Sequence, residues 1–193
     1  MPIALRRITH MAVEDYKPFT APYTTDRIYR VRYTDSAQGT VFETRVEPLE
    51  QPATHAYDHF DDTYAEMYNA IFRHGFSWAA WDGNQMVGLL IGEPVEWNGS
   101  LRIWEFHVAA ERRGQGIGRI LMETAAAKAR AAGLRTMVVE TQNQNYPGIC
   151  AYRALGFRLE GIDISYYTNE DYPNSGIAIF LKRRIEPQHE KAA

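Results

Sequence analysis

The first part of the chain carries a two-residue alternation of apolar and polar positions that is typical of β-strands. Asp26 to Glu50 shows this alternation on both sides of a turn-forming segment, Asp35 to Gly39, and is therefore predicted to form a β-hairpin. Pro48 and Pro52 are expected to break the pattern near its end, because proline punctuates strands. An N-terminal hairpin is the first element that the sequence predicts.

The sequence predicts three helices, two of them from apolar side chains that share one helix face. The first runs from His59 to His74 with Gly75 as its cap, and the second, which is the clearest, runs from Gly116 to Ala132 and ends at Gly133. A third, Pro147 to Leu155, has proline in its first turn. Strands are predicted between and after these helices at Phe76 to Trp81, Met86 to Val95, Leu101 to Val108, Thr136 to Glu140, Phe157 to Tyr167 and Gly176 to Lys182.

The order of these elements is a β-hairpin, a helix, antiparallel strands and then β-α-β-α-β-β. It predicts an α/β (α+β) fold in which helices flank a mixed central sheet. Residues 1–52 are assigned to an N-terminal segment that carries the hairpin and belongs to the same domain as residues 53–185. Residues 186–193 are expected to form a polar C-terminal tail.

Composition narrows the class of protein. A net charge of −3 gives no reason to expect nucleic acid or a membrane as partner, and it suits a cationic small molecule slightly better than an anionic one. Cys150 is the only cysteine, which excludes an intramolecular disulfide and favours a reducing, cytoplasmic setting. The most apolar run, Met86 to Gly92, is far shorter than the roughly 20 residues of a membrane-spanning helix.

The segment Arg113-Gly114-Gln115-Gly116-Ile117-Gly118 lies between a predicted strand and the clearest predicted helix. Glycine lets backbone amides approach a ligand, and a helix start offers unpaired N–H groups with a partial positive charge. Arg112 and Arg119 add positive charge on either side. The segment therefore predicts a phosphate or pyrophosphate site, although a simple tight turn with solvated arginines would also fit.

A dinucleotide-binding loop of the Rossmann type is a second interpretation. Gly114-x-Gly116 begins like that fingerprint, and Glu140 follows at a strand end where a ribose-binding acid would stand. Arg119 occupies the position of the third glycine, however, and the preceding strands read as antiparallel hairpins. These departures disfavour a dinucleotide.

The loop and the residues that follow it resemble the GNAT N-acyltransferases. The resemblance rests on Arg113-x-x-Gly116-x-Gly118, on Asn145 and on Tyr152-x-x-x-Gly156-Phe157, and it covers about Phe76 to Lys182. Ala151 replaces the aromatic residue that usually precedes this tyrosine. The motifs at 140–145 and 161–163, Glu-Thr-Gln-Asn-x-Asn and Gly-Ile-Asp, are similar to the streptothricin acetyltransferase branch.

This resemblance implies a GNAT fold and an enzyme that transfers acetyl from acetyl-CoA to a primary amine of a small molecule. A streptothricin-like acceptor would imply a role in antibiotic resistance. A protein amine or a metabolite amine remains an alternative acceptor, and a non-catalytic acyl-CoA-binding module remains an alternative function. A homodimer is possible, and the hairpin either mediates it or covers the substrate cleft.

The resemblance also implies roles for individual residues. Tyr152 is the expected general acid for the departing thiolate, and Glu105 is the expected general base, directly or through a water. Trp104 stands where the branch tends to carry a second acid, and Glu140 or Asp163 would bind the acceptor's cation. The residues expected to bind the donor are Phe106, His107, Val108, Arg113, Gly114, Gln115, Gly116, Ile117, Gly118, Arg119, Asn145, Gly148 and Tyr152.

No metal is expected. His55 and His59 have a spacing that can bind metal on a helix, but they are interpreted as flanking a helix start. Cys150 on the third helix is interpreted as a small buried apolar residue rather than as an acyl-carrying nucleophile.

Overall fold

The computed structural model describes residues 2–56, 60–174 and 176–186, which form two compact units. The first unit draws on Met1–Ala21, Ala56–Val139 and Arg183–Ala193, and the second on Pro22–His55 and Glu140–Lys182. The strands are β1 (Ala4–Arg7), β2 (Tyr23–Ser36), β3 (Gly39–His55), β4 (Trp78–Asp82), β5 (Gln85–Val95), β6 (Ser100–Val108), β7 (Thr136–Gln142), β8 (Arg158–Asp163) and β9 (Ala178–Arg184), and the helices are α1 (Asp62–Phe72), α2 (Ile117–Ala131) and α3 (Tyr146–Ala154).

The first unit is built on a mixed sheet in the order β1-β4-β5-β6-β7. Its first four strands are antiparallel neighbours, and β7 runs parallel to β6 because α2 provides the crossover between them. The ladder between β6 and β7 covers Ser100 to Ile103 on the β6 side. One residue further on, Trp104 is an extra residue opposite β5, since Ile91 pairs with Glu105 and Gly92 pairs with Ile103.

Helices cover both faces of this sheet. Because successive residues of β5 point to opposite faces, alternate residues contact different helices. A Cβ built at Gly88 would lie 3.1 Å from side-chain atoms of Ile117 and Leu121, so β5 approaches α2 closely there. Leu89 and Ile91 point to the opposite face of the sheet from Gly88. There they belong to a buried cluster with residues of α1 and of a 3-10 helix at Val13–Phe19. Tyr16 and Phe19 are the two buried residues of that 3-10 helix.

The second unit contains the hairpin β2–β3 as a two-stranded sheet and the antiparallel pair β8–β9. The hairpin was predicted. Its second strand continues to His55, but its pairing with β2 is irregular between Pro48 and Ala53, so the prolines interrupt the ladder without ending the strand. Among the described residues, β3 pairs with β2 alone, so its other edge is unpaired. A proline has no backbone N–H to donate and is tolerated where that position faces the unpaired edge. Pro48 also lies beside an irregularity in the register between Thr25 and Arg27.

The three helices are present within a few residues of the predicted bounds. The strand predicted at Phe157 to Tyr167 is shorter, since β8 ends at Asp163, whose carboxylate accepts from the backbone N–H of Ser165 at 3.0 Å and turns the chain. The pattern did not indicate β1, the 3-10 helix, or a helical turn at Asp171–Asn174. No helix in the described ranges has the length and apolarity needed to cross a membrane.

Candidate active site

Strand β6 presents two chemically different faces beyond its bulge. Toward α2 it carries Phe106 and Val108, since a Cβ built at Gly118 would meet their side chains at 3.0 and 3.6 Å. Toward α1 and the 3-10 helix it carries Glu105 and His107, whose side chains are 11% and 12% exposed. One face of the strand is therefore apolar, and the other carries two groups that can exchange protons.

Glu105 is hydrogen-bonded through both of its carboxylate oxygens. The hydroxyl of Tyr68 on α1 donates to Oε1 at 2.5 Å, and Nε2 of His107 lies 2.6 Å from Oε2. The structure thus joins a phenol, a carboxylate and an imidazole in one chain of hydrogen bonds. Tyr68, at 2% exposure, lies at the buried end of that chain.

Aromatic rings surround this chain of hydrogen bonds. The ring of Tyr16 stacks on Phe60 at 4.7 Å, and Phe60 and Phe19 lie 6.2 and 6.3 Å from the imidazole of His107. Burial and the charge of Glu105 raise the pKa of Tyr68 and of Tyr16 far above their usual value. Both phenols therefore remain protonated at neutral pH, and Tyr68 acts as a donor to the carboxylate.

The glycine loop leaves its backbone uncovered. Gly114 and Gly116 have φ values of +75° and +82°, and a Cβ built at either position would meet no atom within 4 Å. Gly116 is the N-cap of α2 and supplies no side-chain acceptor to the first turn. Open space above a helix start whose amides lack a side-chain cap suits an anionic group such as a pyrophosphate. The loop thus keeps the features that led the sequence analysis to predict an anion site there.

The arginines around the loop have different roles. Arg112 pairs with Asp82 at 2.6 Å, so its charge is used within the fold, and its hydrogen bond holds the pKa of Asp82 below the usual range. The Nε–H of Arg113 donates to the carbonyl oxygen of Val108 at 3.2 Å and ties the loop to the end of β6. Gln115, Arg119 and the loop glycines at 114 and 116 are exposed, whereas Ile117 is buried against the sheet.

In the second unit, Asn145 is the N-cap of α3. Its Oδ1 accepts from the backbone N–H of Gly148 at 3.0 Å, and its Nδ2 donates to Oγ1 of Thr141 at 2.9 Å. A Cβ at Gly148 would lie 2.4 Å from Nδ2 of Asn145, so this cap requires glycine there. Tyr152 is half-buried on the same helix, with its ring 5.9 Å from that of Phe157.

Other residues considered from the sequence have structural partners. Glu140 accepts from the hydroxyl of Tyr167, and the hydroxyl of Tyr146 is hydrogen-bonded to Cys150, which raises the pKa of that phenol. His55 stacks on Tyr23 at 5.1 Å, and His59 lies outside the described residues. In the described ranges, no three His, Cys, Asp or Glu side chains are grouped so that they could hold a metal ion.

Within the first unit, the structure brings Glu105 and His107 together, and the loop follows directly from the strand that carries them. Tyr16 and Tyr68 were not singled out from the sequence as functional residues. In the sequence, Tyr68 belongs to the apolar face of a predicted helix, and the segment that carries Tyr16 shows no periodic pattern. Only the fold shows that both phenols face a carboxylate.

The fold and the loop define a class of protein. A mixed sheet, a bulged strand and a glycine-rich loop at a helix start are arranged as in acyl-CoA-dependent acetyltransferases. The sequence profile of the Acetyltransferase (GNAT) family matches residues 40–157, which is more than half of the chain, and the chain belongs to that family. The predicted family and the predicted fold class are both confirmed.

Streptothricin acetyltransferases are among the relatives. The chain is 45% identical to streptothricin acetyltransferase of Streptomyces lavendulae over 86 residues, which are 45% of this chain and 45% of that protein. The crystal structure of nourseothricin acetyltransferase matches with a TM-score of 0.71 and 27% identity, over 95% of this chain and 99% of that one. A protein from Bacillus anthracis str. Ames, assigned as a streptothricin acetyltransferase and solved with acetyl coenzyme A, matches with a TM-score of 0.70 at 20% identity over the same shares of the two chains.

The sequence matches cover only part of the curated relatives. The chain spans less than half of the length of those with the highest similarity. The whole-chain likeness is therefore one of structure.

Proposed function

We propose that this protein transfers the acetyl group of acetyl-CoA to a primary amine of a small molecule of the streptothricin class. The observation that carries the proposal is the uncapped helix start at the glycine loop, directly after a strand that carries Glu105 and His107. Membership of the GNAT family supplies the acyl donor. The full-length structural match to nourseothricin acetyltransferase supports the acceptor class.

The donor would be held by backbone groups. In this proposal the amides of Gly114 to Gly118 bind the pyrophosphate, helped by Arg113 and Arg119. The pantetheine arm carries amides and would extend the sheet along Phe106 to Val108, past the point where the ladder with β7 ends. By the resemblance to the GNAT family, Asn145 and Gly148 are also proposed to bind the donor.

Acetyl-CoA supplies an activated thioester, and the chain's own residues would manage protons and charge. A backbone N–H near Val108 would stabilise the oxyanion that forms when the amine attacks. The acceptor ammonium must first lose a proton, and Glu105, directly or through a water, would be the base. Tyr152 would protonate the departing thiolate, because a phenol is protonated at neutral pH and close enough in pKa to a thiol.

The acceptor class is proposed from the relatives. The 45% identity to a streptothricin acetyltransferase favours an antibiotic amine and hence a resistance function. A protein amine or a metabolite amine is the second candidate. We also infer a reducing, cytoplasmic setting from the single cysteine, and we propose that the hairpin either mediates a homodimer or covers the substrate cleft.

A thiol-release assay tests the function. Purified protein is mixed with acetyl-CoA and a panel containing a streptothricin, lysine, an aminoglycoside and a lysine-rich peptide. We expect amine-dependent release of free thiol that is fastest with the streptothricin, and a mass increase of one acetyl group on the product. Tight acetyl-CoA binding without thiol release for any amine would favour a non-catalytic binding module and contradict the proposal.

A further inference from the structure

The outer edge of β3 is an exposed strand edge. Among the residues that the structure describes, β2 and β3 form a sheet of two strands, so β3 pairs along one edge only. An unpaired edge presents a row of N–H and C=O groups to which another strand can bind. The side chains of Phe42 and Val46 on this strand are 44% and 43% exposed, so solvent reaches this part of the hairpin.

Contacts of β2 show which residues of β3 direct their backbone groups outward. The N–H of Tyr29 donates to the carbonyl oxygen of Asn143, and its own carbonyl oxygen accepts from Nδ2 of Asn143, both at 3.0 Å. The N–H of Tyr33 donates to the hydroxyl of Tyr172 at 3.3 Å. These groups therefore point away from β3. In an antiparallel pair, opposite residues direct their backbone groups either toward each other or both away, and the pattern alternates along the strand. The β3 residues with outward groups are then Phe42, Thr44 and Val46, which lie opposite Tyr33, Val31 and Tyr29.

The sequence of this edge is complementary to itself. In an antiparallel arrangement about a two-fold axis at Thr44, Phe42 of one copy lies opposite Val46 of the other, and Thr44 lies opposite its own equivalent. Each of these opposed pairs would exchange two N–H···O bonds, because its members direct both groups outward. On the other face, Glu43 of one copy lies opposite Arg45 of the other, twice by symmetry.

Other registers lack this match. An axis at Arg45 would put two guanidinium groups opposite each other, and an axis at Glu43 would do the same with two carboxylates. Like charges directly opposite each other are destabilising. An axis at Val46 would place Thr44 opposite Pro48, which has no N–H to donate. With the axis at Thr44, opposite charges are paired and Pro48 comes only at the end of the ladder.

The apolar face of the hairpin also continues to this edge. Tyr29 and Val31 on β2 are buried, and Phe42 and Val46 lie on the same face of the neighbouring strand. A second β3 in this register would bring Val46 of one copy beside Phe42 of the other. The two side chains that are exposed in one copy would thus contact each other in a pair of copies.

We propose that the outer edge of β3 is a homodimer interface, in which two hairpins join into one four-stranded antiparallel sheet about a two-fold axis at Thr44. The inference selects the first of the two roles proposed for the hairpin and gives it a register. It does not depend on the proposed acetyl transfer, because assembly is measured without substrate. One pair of strand edges is a small interface, so the dimer should dissociate on dilution.

Charge reversal tests the register. Sedimentation should give a mass about twice 22.1 kDa at high concentration and a return to 22.1 kDa on dilution. Glu43→Arg alone and Arg45→Glu alone each place like charges opposite each other twice, so each should raise the dimer Kd by roughly tenfold or more. In an equal mixture of the two variants every Arg at these positions lies opposite a Glu, and heterodimers should form with a Kd near the original.

Glu50→Arg is the matched control for the charge change. It reverses a charge on the same strand beyond Pro48, outside the proposed ladder, and should leave the dimer Kd unchanged. Glu43 also faces Arg32 across the hairpin, so urea unfolding of each variant separates loss of assembly from loss of folding. Unsubstituted protein that stays monomeric at every concentration would leave the edge to a strand of another protein and would overturn the proposal. A mixture that dimerises no better than the single variants would also overturn it.

Thr44→Cys locates the axis, in a chain whose own thiol is removed by Cys150→Ser. The Cα atoms of a hydrogen-bonded antiparallel pair lie about 5.5 Å apart, within the span of a disulfide, so mild oxidation should give a covalent dimer. Thr40→Cys in the same background is the control, because its two copies would lie roughly 27 Å apart and should not cross-link. Cross-linking that is equal in the two variants, or stronger in Thr40→Cys, would show that the register is wrong.

Discussion

Tyr152 and Glu105 differ in how much of their chemistry is visible from the sequence. Tyr152 lies in a motif, Tyr152-x-x-x-Gly156-Phe157, and its helix is present as predicted. Glu105 was also predicted as a site residue, but its surroundings depend on contacts 37 positions back along the chain, at Tyr68. Such a long-range contact leaves no local pattern, because helix periodicity shows only that Tyr68 faces inward.

Removal of the Tyr152 hydroxyl tests the proposed general acid. Tyr152→Phe should lower kcat by about 10²-fold, because the thiolate loses its proton donor, while the Kd for acetyl-CoA stays within about threefold. Steady-state kinetics and calorimetric titration with acetyl-CoA measure the two quantities. Tyr166→Phe removes a hydroxyl from an exposed tyrosine of the same unit and is the control. Unchanged kcat in Tyr152→Phe would remove this phenol from the mechanism.

The sequence predicts most helices and strands, but it predicts the residues at which they begin and end less well. The hairpin and the first two helices follow from periodicity, since each has a long amphipathic pattern, whereas α3 follows from the proline in its first turn. The prolines at 48 and 52 predicted an interruption, and the ladder is irregular there. That the strand resumes and reaches His55 does not follow from periodicity, because a proline's effect depends on whether its edge of the strand is paired. β1 has four residues and the 3-10 helix seven, too few for a period to emerge, and their positions depend on packing against the sheet.

Helix α2 allows the ligand role of the loop to be separated from its conformational role. Gly116 and Gly133 lie at opposite ends of the helix with φ values of +82° and +73°, and neither would bring a Cβ within 4 Å of another atom. Alanine at either position should lower the free energy of unfolding by roughly 1–2 kcal/mol, because the left-handed conformation is unfavourable. Only Gly116→Ala should also weaken acetyl-CoA binding. Urea unfolding measures the stability of each variant, and calorimetry measures its affinity for acetyl-CoA. Equal acetyl-CoA affinities of Gly116→Ala and Gly133→Ala would contradict the proposed pyrophosphate site.

The side chain of Asn145, the N-cap of α3, makes two hydrogen bonds that two different substitutions can distinguish. Asn145→Ala should lower the free energy of unfolding by about 1 kcal/mol, since the Gly148 amide loses its acceptor. Asn145→Asp keeps that acceptor and loses only the donor to Thr141, so it should cost less. Thermal and urea unfolding of the two variants provide the comparison. A larger loss in the aspartate variant would mean that the Thr141 contact matters more than the cap.

The whole molecule has a pH dependence that follows from two fully buried phenols. Tyr16 and Tyr68 are 0% and 2% exposed, and burial and then the charge of Glu105 raise the pKa of each in the folded state. A raised pKa contributes stability that is complete below the unfolded value of about 10 and is lost as pH rises above it. Each phenol should therefore lower the free energy of unfolding by at most ~1.4 kcal/mol per pH unit above pH 10.

Tyr16→Phe checks this expectation at the level of global unfolding. Because the hydroxyl of Tyr16 has no hydrogen-bond partner among the described residues, its removal should leave stability at pH 7 unchanged or slightly higher. Between pH 10 and 11 the variant should lose stability less steeply than the unsubstituted protein. Urea unfolding at several pH values measures both slopes, and parallel slopes would mean that Tyr16 ionises without unfolding.

The 3-10 helix at Val13–Phe19 has a consequence for how relatives of this protein can diverge. Its rings of Tyr16 and Phe19 lie against Phe60 and His107, yet it falls before residue 40, where the match to the family profile begins. The 3-10 helix and the loop proposed for the donor are thus encoded in separate stretches of the gene. Substitutions in seven codons can reshape the first without touching the second. Under the proposed function, such substitutions would change acceptor preference and leave the donor unchanged.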